Sequence, residues 1–279
     1  MSHKQVVLFT ALAMIAFAGN SLLCRMALMH TSIDAASFTS IRILSGALVL
    51  WLIVTARGEK IGTEGSWYSA LALFSYAAGF SFAYVSLTAA TGALLLFGAV
   101  QATMVSFGLW KGERLHRRQL AGLLLASGGL FGLLLPGLSA PPLLPAMLML
   151  CAGIAWGIYS LRAKGAANPI RTTAGNFMRA VPFAAGLSVV MFFRLSLDGS
   201  GVLYAIASGG LASGVGYAIW YTALRGLNST SAATVQLSVP VIAALGGVAF
   251  LGEAITLRLL LTSTAILGGI ALITLAPRD

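Results

Sequence analysis

Three amide side chains lie deep inside long apolar stretches of the chain, where a polar group needs a partner. They are Asn20, Gln101 and Gln236. Because an amide both donates and accepts hydrogen bonds, this set could bind the amino and carboxyl groups of a zwitterion. Buried amides also hydrogen-bond across membrane helices, so a structural role is the alternative.

The segment that begins at Gln236 reads Gln-Leu-Ser-Val-Pro, which places a proline inside an apolar stretch. A proline within such a helix leaves backbone carbonyl groups unpaired, and these tend to face a cavity or a neighbouring helix. We therefore group Ser238 with Gln236 as candidate substrate-binding residues.

Aromatic residues form a second candidate set. Tyr76, Phe80 and Tyr84 are spaced four residues apart, which places them on one face of a helix. A wall of rings suits apolar and aromatic ligands, whereas ordinary packing against lipid or protein is the alternative. Four further aromatic residues inside apolar stretches join the set: Trp156, Tyr159, Tyr217 and Trp220.

Arg42 and Arg179 are the basic residues that fall clearly inside apolar stretches. Arg42 lies about six residues, roughly 9 Å, into its predicted helix, which is close enough to the surface for its side chain to snorkel or to cap the end of a neighbouring helix. Contact with a substrate carboxylate is the second interpretation. We treat Arg42 as a gating or structural charge.

Glu113 and Glu253 each follow a glycine at the end of an apolar stretch. They could be gate residues that pair alternately with basic groups, or carboxylates that lie beside lipid headgroups. All seven acidic residues and the three histidines fall in loops or at helix ends. The sequence therefore shows no intramembrane proton carrier, no nucleophile–histidine pair and no set of metal ligands. We predict neither an enzyme nor a cofactor.

Composition indicates which elements must position these residues. Of the 279 residues, 58% are hydrophobic and 9% are charged, and the mean hydropathy is +0.93. A soluble domain cannot cover that much apolar surface, so we predict an all-α integral membrane protein. The net charge of +10 comes from basic residues in short loops between apolar segments, which is typical of membrane topology and argues against a nucleic-acid partner.

Ten segments are long and apolar enough to span a bilayer. Their approximate bounds are 6–28, 36–56, 67–89, 92–110, 119–135, 143–161, 172–193, 202–223, 229–251 and 257–276. The proline-rich and glycine-containing stretch 136–142 separates the fifth segment from the sixth. We therefore divide the chain into two five-helix units, residues 1–139 and 140–279.

The two units repeat a pattern. Gly112 precedes Gly252 by 140 positions, and the pair Gly128-Gly129 precedes Gly268-Gly269 by the same distance. A period of about half the chain indicates a duplicated architecture.

Basic residues predict how the two units are oriented. Twelve lie in loops and tails on the side of the N-terminus, against three on the other side, namely Arg25, Arg194 and Arg258. Both termini are therefore predicted to be cytoplasmic. Because each unit has an odd number of helices, the second must be inverted relative to the first, with a substrate site near the midplane between them.

The duplicated unit resembles the EamA-type drug/metabolite transporter superfamily. The similarity rests on Trp156-Gly157, on Arg42 and on the repeated Gly-Glu and Gly-Gly pairs. Within the superfamily the chain looks most like the YddG-type amino-acid exporters. The resemblance implies a ten-helix basket whose cavity is lined mainly by helices 1, 3, 4, 6, 8 and 9. The first half has Ala16-Phe17-Ala18 in place of Trp-Gly, so the cavity role implied by that motif applies to Trp156.

We therefore expect a monomeric carrier of the bacterial inner membrane. Its expected substrates are aromatic and other neutral amino acids or related small metabolites, exported by facilitative alternating access. A proton-coupled multidrug or metabolite exporter of the same superfamily is one alternative, and a membrane scaffold without transport is another. A selective ion channel would show charged rings or a carbonyl filter, which this sequence lacks.

Overall fold

A computed structural model describes residues 2–59, 64–112, 117–137, 140–163, 166–227 and 235–274. Across these ranges the chain is helical and contains no strand, which agrees with the all-α prediction. The helices are α1 His3–His30, α2 Ala35–Ala56, α3 Trp67–Tyr84, α4 Ala89–Trp110, α5 Arg117–Leu134, α6 Leu143–Ala163, α7 Pro169–Val190, α8 Gly199–Leu224, α9 Ser238–Leu251 and α10 Leu257–Thr274.

Five of these helices, α1, α2, α4, α6 and α8, are long and apolar enough to cross a membrane. The described parts of α9 and α10 are shorter and also apolar. Large apolar side chains also remain exposed on the helices, among them Leu124 and Phe131 of α5. Lipid is the environment that suits such a surface. The protein is therefore a helical, multi-pass membrane protein.

The repeated glycine has a conformational cause. Gly112 and Gly252 follow α4 and α9 with φ of +92° and +63°, in the left-handed region that side chains with a Cβ rarely adopt. The N–H of Glu253 donates to the carbonyl of Gly247 at 3.1 Å, which ends α9. Glu113, the matching carboxylate, lies outside the described residues.

The helices of the two halves pair symmetrically. α1 packs against α8 and α9, and, five helices further along, α6 packs against α3 and α4. α2 packs against α7, α4 against α9, and α5 against α10, so exchanging the halves leaves this set of pairs unchanged.

Glycines set the closest of these approaches. A Cβ added to Gly122 or Gly269 would lie 2.5 Å from the carbonyl oxygen of the other residue, so α5 and α10 meet backbone to backbone. One residue of each repeated glycine pair serves this contact, Gly129 and Gly269. Gly128 and Gly268 face open space.

The links between helices gather at two ends of the molecule. At one end, which we call the Glu253 end, the backbone N–H of Ser196 donates to Asp34 at 3.0 Å, and that of Ser32 donates to Asp198 at 2.8 Å. Asp34 and Asp198 also cap α2 and α8. Although burial favours the neutral form of Asp34, the N–H groups of Ser196 and Ser37 hold its pKa below the ordinary value.

At the opposite end, which we call the Glu64 end, Arg171 pairs with Glu64 at 2.5 Å and Asn168 donates to Glu59 at 2.8 Å. The Arg171 and Glu64 side chains are 28% and 31% exposed. These contacts join the links that follow α2 and α6, so both lie opposite the Glu253 end.

The prediction from basic residues counted Arg25 as a loop residue, and this was wrong. Helix α1 continues to His30, and Arg25 lies inside it with only 9% of its surface exposed. Its burial is compensated by the carboxylate of Glu253, with which it forms an ion pair.

Candidate functional site

A cluster of aromatic rings lies inside the protein. The Trp156 ring lies between Tyr76 and Tyr217, with centroid distances of 4.8 Å and 5.2 Å. Phe17 meets Tyr217 edge-on at 5.8 Å. These rings come from α1, α3, α6 and α8, so the cluster lies between the two halves of the chain.

The cluster surrounds a small cavity. Its lining residues are Phe17, Asn20, Ser21, Tyr76, Phe80, Leu96, Phe97, Trp156, Ala212, Ser213 and Tyr217. The volume of this cavity is only about 20 Å³. That is enough for a water molecule, so the rings must move apart to admit an organic molecule.

Helix α8 supplies its part of the wall through an irregular segment. Residues Ala207–Val215 form a π-helical stretch, a rare geometry that often marks functional sites. A Cβ added to Gly209 would overlap the carbonyl oxygen of Arg42, so this stretch brings α8 against the backbone of α2. Ser208 and Ser213, both buried, belong to the same segment.

Polar groups beside the rings form one connected network. Ser208 Oγ donates to Asn20 Oδ1 at 2.6 Å, and Asn20 Nδ2 donates to the Tyr76 hydroxyl at 3.2 Å. Arg42 Nη2 donates to the same hydroxyl at 2.8 Å. Helices α1, α2 and α3 therefore meet at the Tyr76 oxygen, and α8 joins them through Asn20.

Arg42 is directed into the protein. Only 2% of its surface is exposed, and its Cζ lies 5.0 Å and 4.7 Å from the ring centroids of Tyr76 and Phe80. Its Nη1 is buried and has no hydrogen-bond partner in the described part of the chain. The snorkelling interpretation therefore does not describe this side chain, whereas a contact inside the protein does.

Arg25 and Glu253 form a buried ion pair at the Glu253 end. Their Nε and Oε1 atoms are 3.2 Å apart, and the side chains are 11% and 7% exposed. Arg25 Nη1 also donates to the carbonyls of Tyr84 and Val85 at 3.0 Å each. Glu253 Oε2 accepts from the backbone N–H of Ala89 at 2.8 Å.

The placement of this ion pair follows helix electrostatics. The guanidinium lies at the carboxyl end of α3 and the carboxylate at the amino end of α4, where the helix dipoles favour each charge. Arg25 is five residues, roughly 7.5 Å along α1, beyond Asn20. The pair therefore lies on the Glu253 side of the cavity.

The structure brings together only some of the predicted substrate-binding residues. Asn20, Tyr76, Phe80, Trp156 and Tyr217 line the cavity. Others pack behind that wall: Tyr159 stacks on Trp156, Trp220 meets Phe17, and Tyr84 meets Phe80.

The predicted polar residues from α4 and α9 lie elsewhere. Gln101 is buried on α4 away from the cavity lining. Ser238 donates to the Val235 carbonyl at 2.6 Å and lines a separate groove near His3 and Gly226. Gln236 is half-buried in the same region. The described part of α9 lines none of the cavity, although the resemblance implied that helix 9 does.

Sequence reasoning missed several lining residues. Phe17 precedes Trp156 by 139 positions, so the repeat itself was the signal that could have identified it. The cavity role therefore extends to the first-half copy of the motif. Ser213 and Ala212 reach the cavity through the π-helical stretch, which no residue pattern announces.

Known proteins share both the sequence and the fold. The EamA-like transporter family matches residues 143–275. Uncharacterized protein PA1977 of Pseudomonas aeruginosa is 56% identical across 100% of this chain and 97% of its own length. An uncharacterized transporter of Archaeoglobus fulgidus is 25% identical over 87% of this chain and 88% of its own. A protein of known crystal structure matches 97% of both chains with a TM-score of 0.68 at 18% identity, which shows a shared fold.

These similarities indicate a membrane transporter of small molecules. The chain belongs to one protein family with the Pseudomonas protein, and its second half is an EamA-like transporter family domain.

Proposed function

We propose that this protein is a monomeric, ten-span carrier that exports aromatic and other neutral amino acids, or related small metabolites, across the bacterial inner membrane. Its halves, residues 1–139 and 140–279, are inverted repeats with both termini in the cytoplasm. The symmetric pairing of helices supports this arrangement, because inverted halves provide two related conformations for alternating access.

The observation that carries the proposal is the ring-lined cavity between the halves. Trp156, Tyr76 and Tyr217 offer aromatic faces to an apolar side chain, and Asn20 and Ser213 offer polar groups to the rest of the molecule. A site at the interface of two repeats is exposed to one side when the halves separate at one end. In this structure the Arg25–Glu253 pair holds the Glu253 end together.

We further propose that transport is facilitative. The cavity lining in the described chain contains amides, hydroxyls and rings, but no carboxylate and no imidazole that could carry a proton. Transport should then follow the substrate gradient alone. The proton-coupled exporter is the alternative that this composition disfavours.

Flux into liposomes tests the proposal. Purified protein should take up labelled phenylalanine with saturable kinetics, at a rate that an imposed pH difference leaves unchanged. Uptake that occurs only with a pH difference would select the proton-coupled alternative. A rate equal to that of protein-free liposomes would identify a scaffold, and a rate that never saturates would identify a channel.

A further inference from the structure

The polar network beside the cavity is directed towards one point. Ser208 donates to Asn20, Asn20 donates to Tyr76, and Arg42 donates to the same Tyr76 oxygen. An oxygen that accepts two hydrogen bonds directs its own O–H elsewhere, and it becomes a stronger donor because the chain is polarised. The donor that remains is the hydroxyl hydrogen of a residue that lines the cavity.

A second donor lies beside it. Arg42 Nη1 is buried and has no acceptor in the described ranges, and no acidic side chain described there pairs with Arg42. The rings of Tyr76 and Phe80 compensate part of the burial of this charge through their faces. An anion that completes the hydrogen bonds of the guanidinium would compensate the remainder.

No negatively charged side chain in the described part of the chain faces the cavity. The nearby Glu253 is already paired with Arg25 and Ala89. Arg42 does not itself line the cavity but contacts Tyr76, which does. Arg42 Nη1 and the Tyr76 hydroxyl hydrogen are thus donors beside the cavity that have no acceptor among the described residues. This imbalance points to a ligand that brings its own negative charge.

We propose that Arg42 and Tyr76 form a carboxylate subsite, and that the substrate class is organic acids with an apolar or aromatic body. This inference rests on the proposed transport function and deepens it. The carboxylate accepts from Arg42 Nη1 and from the Tyr76 hydroxyl, and the body of the substrate lies against Trp156 and Tyr217. The amino group of an amino acid is then a tolerated substituent, and the carboxylate is the required one.

Direct binding to purified protein in detergent, measured by isothermal titration calorimetry, tests this subsite with three probes. Phenylalanine has both charged groups, 3-phenylpropanoate lacks the amine, and 2-phenylethylamine lacks the carboxylate. We expect 3-phenylpropanoate to bind within about tenfold of phenylalanine, and 2-phenylethylamine to bind at least about tenfold more weakly. Tighter binding of the amine than of the carboxylate overturns the proposal without requiring any variant.

Two variants locate the subsite. Arg42→Gln should weaken 3-phenylpropanoate by about tenfold or more, and Tyr76→Phe should weaken it by a smaller factor. The matched control is Arg179→Gln, because this second in-helix arginine donates to the carbonyls of Glu64 and Gly175 at the Glu64 end. Affinity for 3-phenylpropanoate should not change in that variant. If Arg42→Gln does not give monodisperse protein, Tyr76→Phe and the probe comparison decide.

The binding and flux experiments separate two kinds of failure. If 3-phenylpropanoate binds through Arg42 but phenylalanine does not cross the liposome membrane, amino-acid export is wrong and the carboxylate subsite stands. If phenylalanine is transported but 3-phenylpropanoate binds Arg42→Gln as tightly as it binds the wild type, the subsite is wrong and export stands.

Discussion

Arg25 and Arg42 are both buried arginines of the first two helices, and their surroundings differ. Arg25 meets a carboxylate and two backbone carbonyls, so its charge and its donors are matched by the protein. Arg42 meets a hydroxyl and two rings, and its Nη1 has no partner in the described residues. The protein supplies both the counter-charge and the hydrogen-bond acceptors of Arg25, which suits a contact that holds helices together. Arg42 Nη1 lacks an acceptor among the described residues, which suits a group that binds a ligand.

Of the changes that test this comparison, removing the charge of Glu253 should have the largest effect, which is a loss of protein stability. Glu253→Gln leaves the Arg25 guanidinium buried without its counter-charge, and breaking a buried ion pair in this way costs about 3–5 kcal/mol. Glu64→Gln is the matched control, because its pair with Arg171 is about a third exposed and such pairs contribute roughly 0–1 kcal/mol. Thermal unfolding in detergent measures both variants. Equal losses in the two variants would mean that Arg25–Glu253 is no stronger than a surface pair.

On the cavity side, Trp156→Ala removes the ring that stacks between Tyr76 and Tyr217. We expect uptake of phenylalanine to fall by about tenfold and uptake of threonine to fall much less, because the lost contact scales with side-chain area. Trp110→Ala is the control, since that indole is 79% exposed at the end of α4. An equal loss for both substrates would assign Trp156 to gating or packing.

The smallest expected effect concerns Asp34, which caps α2 at the Glu253 end and accepts from the N–H of Ser196. Asp34→Ala removes the N-cap of α2 and should lower stability by about 1 kcal/mol at neutral pH. Because the pKa of Asp34 is lowered in the folded state, its contribution is present above the unfolded pKa and is lost as the pH falls through the folded value. The difference in melting temperature between wild type and variant should therefore shrink on strong acidification. A gap that stays constant with pH would exclude a role for the charged carboxylate.

Helices and their order could be predicted from the sequence, because apolar length and proline or glycine breaks are local properties. α2 begins one residue before its predicted bound and ends on it. α3 ends five residues before its predicted bound, since Val85 to Leu87 form a turn and Thr88 then caps α4. The glycine of the Gly-Glu motif could also be predicted to end a helix.

The site could be predicted only in part. Tyr76 and Phe80 share a helix face, so periodicity identified them. The partners of Arg25 and Arg42 lie on other helices, and no pattern within one helix predicts which arginine meets a carboxylate. For Gln236 and Ser238 the sequence predicts the position along the helix but not the side of the helix that faces the cavity. Tertiary packing decides that side, and it places Ser238 in a separate groove.

The central claim is that the carboxylate of the substrate accepts a hydrogen bond from Arg42, while Arg25 remains paired with Glu253. An experimental structure of the protein with 3-phenylpropanoate tests it most directly. The account predicts a carboxylate within hydrogen-bond distance of Arg42 Nη1 and the Tyr76 hydroxyl, with the phenyl ring against Trp156. A ligand that lies away from Arg42, or one whose carboxylate takes Arg25 from Glu253, would contradict it.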